Sequence, residues 1–277
     1  MTKKALCIGI NNYPGTHMDL QGCVNDANDW AATLQGRGFA VTKLLDNQAT
    51  KAAMVSSMSG LIQSAAKGDS LVITYSGHGT YQPDTNGDEA DGLDEALCPY
   101  DLQTGGAALI DDEIKTLFDQ RKAGVRIVLI ADSCHSGTVT RAAKAEEGAD
   151  TRPRFMPMGN WLPESMLPKN LAGKPALTIA APLGTSPLLA AYSRALGDLL
   201  LAGCKEGPNN YSYDAKINGR FNGAFTYYAL KALKTLKADA TYADWYKAMI
   251  KYLPSASYPQ SPQIVGSDTA RKGIIFA

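Results

Sequence analysis

The sequence has few of the features that assign a chain to a common functional class. Basic and acidic residues number 27 each, so no net charge favours nucleic acid or an anionic membrane as a partner. The apolar run near the N-terminus, ALCIGI, has six residues, which is too short for a signal sequence or a membrane span. We therefore expect a cytoplasmic protein that binds neither nucleic acid nor membrane.

Cysteine pairs and glycine-rich nucleotide motifs are also missing. The five cysteines are widely spaced, and none belongs to a C-x-x-C pair, so neither a disulfide framework nor a structural zinc site is expected. Gly36-x-Gly38 continues with Val41 where a dinucleotide motif has its third glycine, and no G-x-x-x-x-G-K-[ST] run exists. A nucleotide-binding enzyme is therefore disfavoured.

Short apolar runs alternate with segments of helical periodicity, and this pattern predicts a parallel sheet covered by helices on both faces. A length of 277 residues fits one such α/β domain. The predicted strands are Ala5–Ile10, Ala40–Leu45, Leu71–Tyr75, Ile127–Ala131 and Leu199–Ala202. The predicted helices are Asn25–Gln35, Lys51–Ala66 with Thr50 as N-cap, Asp112–Gln120 with Asp111 as N-cap, Phe225–Leu236 and Tyr242–Leu253.

Two long connections interrupt the alternation. Residues 84–113 contain ten acidic residues and no lysine or arginine, whereas residues 138–176 contain five prolines among scattered basic residues. Long connections of this kind are often functional. We interpret the second as a surface loop.

A cysteine and a histidine follow two of the predicted buried strands. His78 lies between two glycines and Cys134 among small residues, and both strands should end at the same edge of the sheet. A thiol becomes a strong nucleophile when an imidazole takes its proton. The alternative is a buried thiol and a packed histidine with no chemical role.

Successive runs of the sequence resemble the landmarks of metacaspases over nearly the whole chain except 138–176. These runs are ALCIGINNY, LQGCVNDANDW, VITYSGHGT, DGLDEALCPYD, LIDDEIK, VRIVLIADSCHSGTV, GAFTYYALKAL and QSPQIVGS. The resemblance implies a caspase-like, mostly parallel six-stranded sheet in three α/β/α layers and a monomer without an N-terminal prodomain. It divides the single domain into a large-subunit-like part (1–137), an insert (138–176) and a small-subunit-like part (177–277).

The resemblance also implies a cysteine endopeptidase with a catalytic dyad. His78 would be the base and Cys134 the nucleophile, and the backbone N–H groups of Gly79 and Cys134 would form the oxyanion hole. In caspases, too, the histidine precedes the cysteine by about 50 residues. No third member of a triad is evident, and we interpret His17 as a loop residue and His135 as a neighbour of the nucleophile.

By the same resemblance, Asp26, Asp132, Cys23 and Ser76 line a pocket for the side chain before the cleaved bond. Paired carboxylates would bind arginine or lysine through charge-assisted hydrogen bonds, so the expected partners are proteins or peptides with a basic residue there. The alternatives are Asp26 as a first-turn acid of a helix and Asp132 as a turn residue.

Metacaspases use calcium as an activator through acids that match Asp94, Asp111 and Asp112. A further acid expected seven residues after the nucleophile is absent, because Arg141 stands there. The run DTNGDEADGLDE does not match an EF-hand, whose glycine would fall at position 6 rather than 4. The alternative is a solvated acidic loop; no cofactor is expected for the chemistry itself.

Two rival functions remain open in the sequence. One is a catalytically silent caspase-fold protein that binds peptides or acts as an adaptor. The other is a related cysteine peptidase with asparaginyl or strict arginyl specificity. For the enzyme, the insert offers sites of self-cleavage after Arg141, Lys144 or Arg154, whereas Arg152 is a poor site because Pro153 follows it.

Overall fold

The computed structural model describes residues 1–87, 92–105, 107–134, 150–167, 199–205 and 210–277. The strands of this part of the chain are β1 (Lys3–Gly9), β2 (Ala40–Leu45), β3 (Ser70–Ser76), β4 (Gly79–Pro83), β5 (Leu93–Leu97), β6 (Leu109–Ile110), β7 (Arg126–Asp132), β8 (Thr151–Pro153), β9 (Leu199–Ala202), β10 (Tyr213–Ile217), β11 (Arg220–Gly223) and β12 (Gln263–Val265). The helices are α1 (Cys23–Gln35), α2 (Lys51–Gln63), α3 (Asp111–Asp119), α4 (Ala224–Leu233), α5 (Tyr242–Met249) and α6 (Asp268–Arg271).

The central sheet has six strands in the order β12-β9-β7-β3-β1-β2. All neighbouring pairs are parallel except β12 with β9. The mostly parallel sheet is therefore confirmed, and all five predicted strands belong to it. The edge strand β12 was not predicted, because it is only three residues long and half-buried.

Side chains of the central strands alternate between two apolar layers. Leu6, Ile73 and Leu129 face the layer that contains α2 and α3. Cys7 and Ile130 face the opposite layer, which contains α1, α4 and α5. Because both faces are covered, the strands read as continuous apolar runs in the sequence, and the three-layer α/β/α prediction is confirmed.

Predicted helix ends are partly wrong. Thr50 caps α2 as predicted, since its hydroxyl accepts from the Ala53 N–H at 3.2 Å. Asp111, in contrast, lies inside α3 after the N-cap Ile110, whose N–H donates to the Glu113 carboxylate at 3.2 Å. Across the described ranges, no helix is both long and apolar enough to cross a membrane.

Both long connections contribute strands to small antiparallel sheets. β4, β5 and β6 form one of them, with β5 arising from the acidic connection, and β8, β10 and β11 form the other. The interpretation of the insert as a surface loop is wrong for residues 154–158, all of which are buried. Arg154, Phe155 and Met156 are buried there, because β8 pairs with the edge of β10.

Candidate active site

The ends of β3 and β7 bring the two predicted catalytic residues to one edge of the central sheet. Ser76 pairs with Asp132 as the last residues of these strands, and the Gly77 N–H donates to the Asp132 carbonyl at 3.4 Å. His78 and Cys134 follow directly, and both are buried. This is the edge at which parallel α/β sheets bind their ligands.

The His78 ring is held in one tautomer by a backbone carbonyl. Nε2 lies 2.6 Å from the Met18 carbonyl oxygen, and because a carbonyl only accepts, Nε2 carries the proton. Nδ1 has no hydrogen-bond partner among the described residues. Burial lowers the pKa of His78 to about 4, so at neutral pH Nδ1 presents a lone pair that can accept a proton.

Two tyrosines hold the backbone of His78, and sequence reasoning missed both. The Tyr13 hydroxyl accepts from the His78 N–H at 2.8 Å, and the Tyr75 hydroxyl donates to the His78 carbonyl at 2.7 Å. A Cβ on Gly77 would lie 2.5 Å from the Tyr13 oxygen and 2.6 Å from that of Tyr75. The glycine before His78 therefore permits the close approach of both phenols.

The Cys134 thiol lies beside a second cysteine. Its Sγ donates to the Asn210 carbonyl at 3.4 Å, and the Cys204 Sγ donates to the Ser133 carbonyl at 3.6 Å. A hydrogen bond to Cys134, together with burial, raises the pKa of Cys204 well above its usual value. Nothing in the spacing of the cysteines predicts that these two meet.

The backbone N–H groups of Gly79 and Cys134 converge on one oxygen. Both donate to the Arg154 carbonyl, at 3.0 Å and 3.2 Å. The Arg154 N–H in turn donates to the Ser212 carbonyl at 2.8 Å. The two donors that the resemblance assigns to an oxyanion hole thus hold the carbonyl of a residue from the chain's own insert.

The Arg154 side chain lies among three carboxylates. Its guanidinium nitrogens are 2.6 Å from Asp26, 3.0 Å from Asp214 and 3.2 Å from Asp132, and all four side chains are buried. Burial alone would lower the pKa of Arg154, but the surrounding carboxylates, Asp132 foremost, raise it well above its usual value. Asp26 is also in the first turn of α1, as the alternative interpretation of this residue expected.

Each of the three carboxylates also accepts hydrogen bonds from neighbouring backbone and side-chain groups. The donors are Gly223 N and Asn222 Nδ2 to Asp26, Thr226 N, Thr226 Oγ1 and Ser212 Oγ to Asp132, and Gln21 N and Gly22 N to Asp214. Even so, burial and then the Asp132 charge raise the pKa of Asp26 to about 7. A Cβ on Gly223 would lie 2.5 Å from an Arg154 nitrogen, so only glycine leaves room for the guanidinium.

The other predicted pocket residues, Cys23 and Ser76, are buried near this cluster. The Arg154 charge acts on the thiol of Cys23, although burial raises the pKa of that thiol overall, and Ser76 stands opposite Asp132 in the register of β3 and β7. His17 lies in an exposed turn, as predicted. His135, Arg141 and Lys144 lie outside the described residues.

The three predicted calcium ligands lie near one another. Asp94 and Asp111 are buried and Asp112 is half-buried. Burial, followed by the charges of Asp112 and Asp94, raises the pKa of Asp111 to about 7, and Asp111 Oδ1 has no hydrogen-bond partner in the described part of the chain. Within that part, however, no three acidic, histidine or cysteine side chains are grouped as a ready cation site.

Comparison with known proteins places these features in a family. Residues 3–142 match the family described as metacaspase, peptidase C14 domain. Metacaspase-4 of Arabidopsis thaliana is 41% identical over 162 residues, covering 55% of this chain and 38% of that protein. Metacaspase-1 of Saccharomyces cerevisiae is 31% identical over 292 residues, covering 96% of this chain and 66% of that protein.

A solved structure extends the similarity to the whole fold. The crystal structure of protein GSU0716 from Geobacter sulfurreducens is 31% identical, with a TM-score of 0.72, and the match covers 100% of this chain and 99% of that one. The chain spans less than two fifths of the plant relative's length. The matched domain, which includes both YSGHG and DSCHSG, shows that the chain belongs to the metacaspase family of C14 peptidases.

Proposed function

We propose that the chain is a cysteine endopeptidase that cleaves after arginine or lysine, with Cys134 as nucleophile and His78 as base. The arrangement of Arg154 is the observation that carries this proposal. Its side chain lies among three carboxylates, and its carbonyl oxygen accepts from the N–H groups of Gly79 and Cys134. A substrate residue before the cleaved bond needs the same two sets of contacts.

In the proposed reaction, His78 Nδ1 takes the proton of the Cys134 thiol as Sγ attacks the scissile carbonyl carbon. Gly79 and Cys134 N–H groups stabilise the negative charge that develops on the carbonyl oxygen. The C–N bond then breaks, and the amine leaves with the proton from His78. Water, deprotonated by His78, hydrolyses the thioester and regenerates the thiol.

The Met18 carbonyl supports the function of His78 as a base. By fixing the proton on Nε2, it leaves Nδ1 as the acceptor. It would also stabilise the imidazolium that forms during the attack. The group that orients His78 is therefore a main-chain carbonyl, and no side-chain motif in the sequence reveals it.

The charge of the pocket supports a basic side chain as the one that enters it. Three buried carboxylates attract a guanidinium or an ammonium, and the branched guanidinium of an arginine can contact all three at once, as that of Arg154 does. An aspartate side chain would be repelled, and a neutral asparagine would leave the carboxylates without a counter-charge. A catalytically silent peptide-binding protein would use the same pocket, so turnover is the property that separates the two functions.

The specificity can be tested with four peptides that differ only in carrying Arg, Lys, Asp or Asn before the cleaved bond. We expect cleavage of the first two and less than about 1% of that rate for the others. Asp132→Asn should lower kcat/KM on the Arg peptide about 100-fold, which corresponds to roughly 3 kcal/mol for a buried charge pair. Measurement of initial rates for both proteins gives these ratios.

Asp119→Asn is the matched control, because Asp119 is an exposed acid whose side chain pairs with Lys115. Its kcat/KM should stay within about twofold of the wild-type value. Wild-type kinetics for Asp132→Asn on the Arg peptide would place the specificity pocket elsewhere. A folded protein that binds the peptides without cutting any of them would favour the silent binding protein.

We further propose calcium as an activator that binds through Asp94, Asp111 and Asp112. Burial and the charges of Asp112 and Asp94 raise the pKa of Asp111, and its buried Oδ1 has no partner among the described residues; a divalent cation would compensate both features. When bound, the ion would neutralise these acids of β5 and α3. The chemistry at Cys134 does not pass through it.

Calcium in the millimolar range should therefore raise both the peptidase rate and the melting temperature, and a chelator should reverse both effects. For Asp112→Asn, the calcium concentration that gives a half-maximal response should rise at least about fivefold in both measurements. Asp119→Asn, in the same helix, should leave that concentration unchanged. Thermal unfolding with and without calcium measures binding independently of activity. A melting temperature and a rate that do not respond to calcium would contradict calcium binding and favour the interpretation of these acids as part of a solvated loop.

A further inference from the structure

The main chain on both sides of Phe155 is fixed by a single residue of the fold. Gly79 donates its N–H to the Arg154 carbonyl at 3.0 Å and accepts from the Met156 N–H at 2.8 Å. Gly79 and Phe155 thereby form a parallel bridge. When the carbonyl of a peptide bond accepts from the N–H groups of Gly79 and Cys134, the residue that follows this bond therefore has a defined position. Its side chain then has a defined position too.

That side chain enters an apolar cluster beside the nucleophile. Phe155 is 3% exposed, and its ring meets the Tyr81 ring edge to face, with centroids 5.9 Å apart and planes at 63°. The other buried members of the cluster are Leu93, Cys134, Met158, Cys204 and Tyr211. None of these residues is an aspartate, glutamate, lysine, arginine or histidine.

The walls of this cluster belong mainly to the fold rather than to the insert. Tyr81 is in β4, Leu93 in β5 and Tyr211 just before β10. Tyr81 pairs with Glu95 and Pro83 with Leu93, so Tyr81 and Leu93 are diagonal neighbours on one face of the small sheet. An external peptide that replaced the insert would still meet these three walls.

The residues before Arg154 are held through their main chain. Thr151, Arg152 and Pro153 pair with β10 through the backbone, and the Arg154 N–H continues this pairing to Ser212. Strand addition of this kind gives affinity from main-chain hydrogen bonds, whereas pockets give specificity. Beyond the three-carboxylate pocket, specificity should therefore be greatest at the residue after the cleaved bond.

We propose that Tyr81, Leu93 and Tyr211 form a subsite for an aromatic or large apolar side chain immediately after the cleaved bond. This inference rests on the proposed function and deepens it. The preferred substrate becomes an extended segment in which a basic residue is followed by an aromatic one. A charged or very small residue in the second position would leave the apolar walls unfilled or would itself be desolvated.

The test uses two internally quenched peptides with the sequence of residues 151–157, Thr-Arg-Pro-Arg-Phe-Met-Pro, and the same sequence with Ser in place of Phe. With calcium present, kcat/KM should be about tenfold higher for the Phe peptide. Tyr81→Ala should reduce this Phe-to-Ser ratio to below about twofold. Tyr227→Ala, which removes a tyrosine of α4 outside the cluster, should keep the wild-type ratio.

The outcomes separate the subsite from the peptidase assignment. Equal rates for the two peptides, both cut after the second arginine, would overturn the subsite and leave the proposed function intact. An unchanged ratio in folded Tyr81→Ala would do the same. If the folded wild-type protein cuts neither peptide, nor any other peptide with arginine before the scissile bond, the proposed function fails and the subsite fails with it.

Discussion

Cys134→Ala is expected to lower the rate of peptide cleavage by at least about 1,000-fold, and His78→Ala by a similar factor. The two side chains act as one unit, so removal of either removes most of the benefit of both. The thiol supplies the attacking atom, and Nδ1 of the neutral imidazole supplies the acceptor for its proton. Residual cleavage would come only from the backbone donors and the pocket.

Matched variants separate chemistry from folding. Cys7→Ala removes another buried thiol, in β1, and His17→Asn removes an exposed histidine; both should retain activity within about twofold. Thermal unfolding should show that Cys134→Ala and His78→Ala remain folded. Undiminished turnover in either folded variant would overturn the assignment of the dyad.

The fold could be predicted where the sequence is apolar on both faces of the sheet. β1, β3 and β7 are buried almost throughout, so each is a continuous apolar run with a clear start and end. β5 is also buried, but its sequence LDEAL contains two acids. Its burial depends on partners in β4 and β6, which local propensity does not reveal.

Residues of the site were predictable when they directly follow such strands. His78 and Cys134 were identified as candidates in this way, and Asp26 and Asp132 through the resemblance. Asp214 was missed because its approach to Arg154 depends on the pairing of β10 with β8, across sixty positions of sequence. The Met18 carbonyl was missed because any residue can supply a backbone oxygen.

The insert gave the largest error in the sequence interpretation. Its prolines and scattered charges are typical of a surface loop, yet Arg154 is completely buried. Its charge is compensated by acids from α1, β7 and β10, which only the tertiary structure brings together. The apolar run Phe155–Met158 was a local indication of burial.

We expect the active enzyme to cut its own chain between Arg154 and Phe155. This bond has its carbonyl on the Gly79 and Cys134 N–H groups and its basic side chain in the three-carboxylate pocket. Arg152 remains a poor site, because Pro153 follows it and its guanidinium instead donates to the Asp19 carbonyl at 2.8 Å. Its own carbonyl is not the one held by the two donors.

Self-cleavage requires both the nucleophile and the basic residue, so Cys134→Ala and Arg154→Ala should each prevent it at this bond. Arg154→Ala also removes the counter-charge of three buried carboxylates, which costs about 3–5 kcal/mol if the pocket stays closed. Arg154→Lys keeps the charge and is the companion variant. It should still be cut at this bond, although more slowly, since an ammonium lacks the bidentate geometry of a guanidinium.

The segment around Arg154 should lie in the active site as a substrate does. Intact-mass spectrometry of the purified chain after several hours with calcium tests this most directly. We predict two fragments, residues 1–154 and 155–277, for the wild type and an unbroken chain for Cys134→Ala. A wild-type chain that cuts arginine peptides but stays whole, or that is cut only after Arg141 or Lys144, would contradict this account of the cleft.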